Sequence, residues 1–391
     1  MKRYIKTLLF ALPALMLTLV ACDNESTSGT PVVEYIRITD PNASDSLLYS
    51  ASMGQTIALI GHDLDGVVKV TFNDQVAKLN PVYVTANSII VTVPGTIPGE
   101  VTNTMTLNTR GGGETVLDFT VIIPAPRLTS ISNEWAAVGS EAILYGNYFY
   151  GREDGTIDVT FPGNVPAEVV SFTDSQIRFK VPENATKGSI SVVNDNGSVQ
   201  SSFIYKDNSG IFTDFTNTSW NWWGCAEFYS EEGVDGQYAR LSGNGGEWAW
   251  PANALQFFYI STDNSTMVTE GEPIDYALRF EFRSNNWNDT PLLMWFDNTQ
   301  THNVDGTDPQ YHWRPYLKNG VVSNYVTDGW ITVTIPLSDF KMNKDESNTS
   351  MAIGSINELV NFNMMFFGAT AGADDTYINI EFDNMRLVTN F

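Results

Sequence analysis

Gly54-Gln-Thr-Ile-Ala-Leu-Ile-Gly61 returns 85 residues later as Gly139-Ser-Glu-Ala-Ile-Leu-Tyr-Gly146. The neighbourhood repeats in register. Val70-Thr71-Phe72 answers to Val159-Thr160-Phe161, and Ser88-Ile-Ile-Val-Thr-Val-Pro94 to Gln176-Ile-Arg-Phe-Lys-Val-Pro182. Each copy opens on a Pro-flanked strand, Val32–Ile38 or Arg127–Ile131, and closes on a hairpin. The hairpins turn at Gly111-Gly112-Gly113 and at Asn194-Asp-Asn-Gly197, where Gly-Gly and Asn-Gly supply the positive φ of tight turns. Short β-branched runs broken by Gly, Pro, Asn and Asp every few residues read as strands. Units of this length with several short strands fit immunoglobulin-like sandwiches. Domains over 32–124 and 126–206 follow, joined by the stiff Pro124-Ala125-Pro126,.

The whole chain is 391 residues with 21 Lys plus Arg against 45 Asp plus Glu, a net charge of −24. That sign repels phosphate backbones and excludes nucleic acid as a partner class. At 42% hydrophobic residues the chain has material for folded cores,. Two cysteines make no disulfide scaffold, and His62, His302 and His312 leave little for a zinc site,.

Residues 1–22 read as an export signal. A basic start (Lys2, Arg3, Lys6) precedes an apolar run from Leu8 to Val20, too short to span a bilayer,. The run ends in Leu19-Val20-Ala21-Cys22, which resembles the lipobox of bacterial lipoproteins. The resemblance implies lipidation at Cys22. Asp23-Asn24-Glu25 resembles the surface-export signal of Bacteroidetes lipoproteins and implies the outer face of the outer membrane. Residues 23–31 are a polar tether. The repeated motif order resembles the IPT/TIG family. These two aromatic-poor sandwiches are expected to be a spacer, each about 30 Å long at strand rise.

Composition shifts after Lys206-Asp-Asn-Ser-Gly210. Nine of the ten tryptophans follow residue 219, and residues 208–391 suit a jelly-roll sandwich. The expected fold class is therefore all-β, with two tandem immunoglobulin-like (IPT/TIG) sandwiches followed by a jelly-roll carbohydrate-binding domain. Alternation over Tyr276–Arg283 puts Leu278, Phe280 and Phe282 inward and Arg279, Glu281 and Arg283 outward, a half-buried strand. Ile378, Ile380 and Phe382 likewise point inward. Leu292–Phe296 is continuously apolar and expected to be covered on both sides.

Asp328-Gly-Trp-Ile-Thr-Val-Thr-Ile-Pro-Leu-Ser-Asp-Phe340 and Ile380-Glu-Phe-Asp-Asn-Met-Arg-Leu387 resemble carbohydrate-binding jelly rolls. Lipobox, tandem IPT/TIG units and terminal jelly roll together resemble a surface glycan-binding protein B of a Bacteroidetes Sus-type polysaccharide-utilisation system. The resemblance implies a lipid-anchored monomer that captures a polysaccharide. It also implies delivery to a surface endo-glycanase and to a complex of TonB-dependent importer and SusD-like lipoprotein. A β-glucan is the preferred ligand, because flat equatorial chains suit aromatic platforms.

A pyranose has apolar C–H faces and polar edges, so exposed Trp or Tyr beside Asn, Asp or Arg marks a sugar surface. Trp287, with Asn286 beside it, sits in Asn285-Asn-Trp-Asn-Asp289 and is expected at the surface as a platform. In Tyr311-His-Trp-Arg-Pro-Tyr316, Tyr311 and Trp313 share one face, while His312, Arg314 and Tyr316 share the other. By resemblance Trp313 and Tyr316 contact ligand, with Arg314 as edge donor. Trp295 belongs to the core or to a groove edge. Trp248 and Trp250 share a face and reach outward or pack. Trp220, Trp222 and Trp223 read as core or seam, and Trp330 as structural. Asp383 with Asp374-Asp375 is a possible structural calcium site. A rival reading is a glycoside hydrolase, which needs two apposed carboxyls. The nearest pattern, Glu381-Phe-Asp383-Asn-Met-Arg386, has Arg where a third acid would stand. An adhesin for host protein would share the stalk.

Overall fold

The structure is a computed structural model. It describes residues 29–152, 154–216, 226–245, 256–261, 263–298, 308–367, 376–389 and 391. They fall into two compact units, divided in sequence between Ile122 and Ile123. Among the described residues, every element of more than three residues is a strand.

The first unit packs two main sheets beside a short parallel pair, Ser50–Ser52 with Thr120–Ile122. One orders Val32–Ile38, Thr56–His62 and Ser88–Thr92; the other orders Gln75–Val76, Val67–Phe72, Thr104–Thr109 and Glu114–Asp118. Ile57, Leu59, Val70, Phe72, Ile89 and Leu107 line the core between them. The repeated motif owes both its glycines to backbone geometry. Gly54 and Gly139 adopt φ of 77° and 80°, values that favour Gly. Strand Val32–Ile38 shifts register between Val33 and Tyr35 as it passes Gly61, and a Cβ there would overlap the Val32 carbonyl oxygen. The second copy repeats this between Leu128 and Ser130, where a Cβ on Gly146 would overlap the Arg127 carbonyl oxygen. Gly61→Ala is accordingly expected to destabilise the first unit by about 1–3 kcal/mol through forced displacement of the neighbouring strand. An unchanged urea midpoint for that unit's transition in the full chain would refute this.

The second unit begins with the second sandwich. Its sheets order Arg127–Ile131, Glu141–Asn147, Gln176–Lys180, Glu168–Phe172 and Val165–Pro166, Asp158–Phe161, Ser191–Asn194, Gly197–Gln200. Leu144, Phe161, Phe179 and Val192 fill it. The buried Tyr205 hydroxyl donates to the Ala136 carbonyl at 2.8 Å, and burial pushes its pKa up to about 12.

The C-terminal domain is a sandwich of two antiparallel sheets. The first orders Glu227–Tyr229, Tyr238–Gly245, Thr376–Val388, Ala277–Asn286 and Ile331–Pro336, with Ile211–Thr213 also on Thr376–Val388. The second orders Gln256–Tyr259, Asn361–Phe366, Leu292–Asp297 and Gln310–Trp313. Leu278, Phe280, Phe282, Ile378, Ile380 and Phe382 face Met294, Phe296, Phe362 and Met364 across the core, as alternation predicts. Leu292–Phe296 is buried throughout.

The expected half-exposure of Tyr276–Arg283 is corrected. Arg279 and Glu281 are 5% and 0% exposed, because the second sandwich covers their face. Glu134 of that sandwich pairs with Arg279 at 2.9 Å and with Arg386 at 2.7 Å. Arg386 also pairs with Glu281 at 2.7 Å. Thr332 completes the joint: its hydroxyl donates to Glu281 at 3.0 Å and accepts from the Glu134 N–H at 2.7 Å. Its own N–H donates to the Ser132 carbonyl at 2.9 Å. Two carboxylates and two guanidiniums thus sit in a charge-balanced cluster between the second sandwich and the C-terminal domain. Burial alone would lower the Arg386 pKa, but Glu281 and Glu134 raise it.

Candidate functional site

Trp287, Trp313 and Tyr316 are brought together, but inside. Trp287 is 0% exposed, Trp313 8% and Tyr316 4%. Trp287 lies 5.1 Å from Trp313 and 5.8 Å from Tyr316, ring centre to ring centre, and Phe282 lies 4.6 Å from Trp313. The expectation of an exposed Trp287 is therefore corrected. The polar residues around it form a turn whose carbonyls face inward, and the indole N–H donates to those of Asp289 and Thr290, each at 3.0 Å. Tyr316 joins the core rather than following His312, because the strand ends at Trp313 and the chain turns at Arg314. As buried rings, Trp287, Trp313 and Tyr316 present no face to a sugar. Asn286 is tied by its amide to the Tyr377 carbonyl and accepts from Asn324 at 2.8 Å. Arg314 pairs with Glu346. Trp287→Phe is expected to lower stability by about 1–3 kcal/mol through lost volume and lost N–H donation. Glucan affinity should stay within about twofold; a larger loss with an unchanged melting temperature would restore Trp287 to the binding surface.

The second sheet has another face, turned away from this core, on which the described residues set rings beside amides in a buried layer. Phe258, Leu293, Trp295 and Met365 form a separate cluster on it. Cross-strand pairing sets Phe258 beside Asn363, Asn363 beside Trp295, and Trp295 beside Gln310. One row therefore alternates ring and amide. Asn361 and Asn363 donate to the two oxygens of Asp297 at 2.9 and 2.8 Å. Trp295 Nε1, Gln310 Oε1 and His312 Nε2 are buried without a hydrogen-bond partner among the described residues. Buried polar atoms of this kind are rare and point to use by a ligand or water. Glu346 holds His312 Nδ1 at 3.0 Å and also takes Arg314. Burial lowers the His312 pKa despite that carboxylate, which favours a neutral ring. Asp308 is pushed up to about 6 by burial and by Asp297 and Glu358.

Trp295 thus belongs to this face rather than to the central core. Phe258, Asn363, Gln310 and His312 escaped the sequence reading. Their signal was present as Asn-Phe-Asn over 361–363 and Gln-Tyr-His-Trp over 310–313, polar and aromatic in strict alternation. Trp220, Trp222, Trp223, Trp248, Trp250, Asp374, Asp375, Cys22 and His302 lie outside the described residues. Trp330 donates its indole N–H to the Glu232 carbonyl at 2.9 Å, and Arg283 lies over its ring at 4.8 Å.

The carboxylates of the hydrolase-like pattern are engaged elsewhere. Glu381 is fully buried between Arg240, at 2.7 Å, and Arg283. Asp383 accepts backbone N–H bonds from Val234 at 3.1 Å, Asp235 at 3.4 Å and Asn384 at 2.8 Å. No group of three or more candidate metal ligands occurs among the described residues, and Asp383 spends its oxygens on N–H donors rather than on a cation. Burial outweighs those donors and pushes Asp383 up to about 8. The folded chain then keeps a proton that the unfolded chain releases near its ordinary value of about 4. This contribution is full below about pH 4 and is lost as pH rises through about 8. The melting temperature should fall from pH 5 to pH 9, and Asp383→Asn should flatten that slope. Parallel slopes in the two proteins would refute the assignment.

Residues 205–389 match the family described as surface glycan-binding protein B xyloglucan binding domain. Residues 45–121 and 126–207 each match the IPT/TIG domain. The C-terminal part of the chain thus matches the surface glycan-binding protein B family, and the part before it matches the IPT/TIG domain twice. Its fold is similar to that of the surface glycan-binding protein PbSGBP-B from Prevotella bryantii, at 28% identity and TM-score 0.73, covering 93% of this chain and 99% of that one. It is also similar in fold to an SGBP-B from a complex xyloglucan utilization locus in Bacteroides uniformis, at 16% identity and TM-score 0.50, covering 92% and 100%. An IPT/TIG domain-containing protein of Bacteroides ovatus is 31% identical over 190 residues, 46% of this chain. That match spans only 39% of the Bacteroides ovatus protein.

Proposed function

We propose that this protein is a non-catalytic binder of a β-glucan, with xyloglucan the first candidate, held at the cell surface by lipid on Cys22. The observation that carries the reading is the family match over residues 205–389, the half of the chain that holds nine of the ten tryptophans. The ring-and-amide row Phe258–Asn363–Trp295–Gln310 is itself buried, and it supports the reading by leaving Trp295 Nε1 and Gln310 Oε1, groups of the kind that hydroxyls engage, without partners among the described residues,. Glu381 and Asp383 are buried and fully engaged, which supports binding rather than hydrolysis. The captured polysaccharide would pass to a surface endo-glycanase and to a TonB-dependent importer with its SusD-like lipoprotein. Multivalent display would make a weak single site effective.

Affinity electrophoresis of residues 23–391 against xyloglucan, mixed-linkage glucan and a mannan tests the ligand. Retardation by a β-glucan without release of reducing ends is expected; no retardation, or release, would overturn the reading. Cys22→Ala should move the protein from the membrane to the soluble fraction, and an unchanged distribution would refute the anchor.

A further inference from the structure

The charge cluster of Glu134, Arg279, Glu281 and Arg386 leaves a cleft of about 620 Å³ beside it, between the second sandwich and the C-terminal domain. That volume falls within the range of ligand sites, which favour domain interfaces. One wall is the outer face of Glu141–Asn147, which presents Ile143 and Tyr145 next to Arg178. The other is the 325–331 segment with Tyr325 and Trp330. Tyr145, Tyr325 and Trp330 are only partly buried, unlike the rings of the core. Trp135 also lines the cleft; it is 7% exposed and its Nε1 has no partner among the described residues.

We propose that this cleft is a second glycan-binding subsite, taking a short run of a neutral polysaccharide. The class follows from the walls. Half-buried rings offer faces for pyranose C–H surfaces. Arg178, paired with Glu141 at 3.2 Å, offers donors and acceptors for hydroxyls at the rim. Glu232 and Asp328 add negative charge that disfavours an acidic polymer,. The buried ion cluster fixes both walls in place, so a ligand meets a formed site and little ordering opposes binding. The two domains would then act together on one chain, and the second sandwich becomes part of the binding apparatus rather than spacer alone.

This subsite rests on the β-glucan reading, and the test separates the two. Residues 23–391 are titrated calorimetrically with xyloglucan and mixed-linkage glucan oligosaccharides, then with the parent polysaccharides. Tyr145→Ala/Arg178→Ala is compared, with its melting temperature as the control for folding. We expect two oligosaccharides bound per wild-type chain and one per variant. Polysaccharide affinity of the variant should drop about fivefold to tenfold as the second contact is lost. One oligosaccharide per chain with identical affinities in both proteins would overturn the subsite and leave the C-terminal site standing. Complete loss in the variant, with its fold intact, would make the cleft the only site and overturn the C-terminal assignment. No binding by the wild type would overturn both.

Discussion

Arg386→Met lowers the stability of the Ile123–Phe391 unit by about 3–5 kcal/mol, the range for removing one partner of a buried ion pair. At about 2–4 °C per kcal/mol for a unit of this size, its melting temperature falls by roughly 6–20 °C. The reason is the company that Arg386 keeps. Its guanidinium is fully buried and donates to both oxygens of Glu281 and to Glu134, at 2.7–3.0 Å. Without it, Arg279 alone faces two buried carboxylates. Glu281, whose pKa burial already raises, escapes by taking a proton. The loss should therefore be smaller at pH 5 than at pH 8, the direction expected when the folded state binds the extra proton. Adding Glu281→Gln should recover part of it by removing one uncompensated charge. A shift of less than about 2 °C at pH 8 would mean that water reaches the cluster and that it does not hold the joint. The same logic ranks fragments: residues 123–391 should melt above residues 208–391, which lack Glu134 and the Thr332–Ser132 bond.

How much of this was legible in sequence depends on what each residue has to face. The repeated glycine motif predicts two sandwiches because its constraints are local: a positive φ at Gly54 and Gly139, and a backbone passing too close to Gly61 and Gly146 for a Cβ. Period-two alternation gives the inner face of Tyr276–Arg283 correctly, since only one layer of core lies behind it. It misreads the outer face, because the cover comes from Glu134, 145 residues away in the chain. Trp287 is misread for a related reason. Polar neighbours argue for exposure only if their side chains set the environment, and here the backbone carbonyls of Asp289 and Thr290 satisfy the indole instead. The ring-and-amide face is hidden by the opposite ambiguity: when both faces of a sheet are buried, alternation shows two faces but not which one packs.

Trp248→Ala/Trp250→Ala in residues 23–391 weakens β-glucan binding at least tenfold while moving the melting temperature by less than about 2 °C. Of the tryptophans after residue 219 that the structure describes, Trp287, Trp295 and Trp313 are buried, and Trp330 lines the interdomain cleft rather than the C-terminal site. The remaining candidates among the tryptophans are Trp220, Trp222, Trp223, Trp248 and Trp250, which lie outside the described residues. Trp248 and Trp250 lie between two fixed points. Gly245 pairs with Thr376 in the first sheet, and Gln256 pairs with Met365 in the second, one step from the row that holds Phe258 and Trp295. In the sequence Glu247-Trp-Ala-Trp-Pro251 the two tryptophans share one side of an extended chain,. A tryptophan stacked at the centre of a binding surface is worth about 2 kcal/mol or more on truncation, roughly thirtyfold in affinity, so tenfold for the pair is a floor. Trp222→Ala/Trp223→Ala, measured alongside, locates the platform if the first pair is silent. Full retention by both pairs would leave the C-terminal domain without an aromatic platform and make the interdomain cleft the primary site.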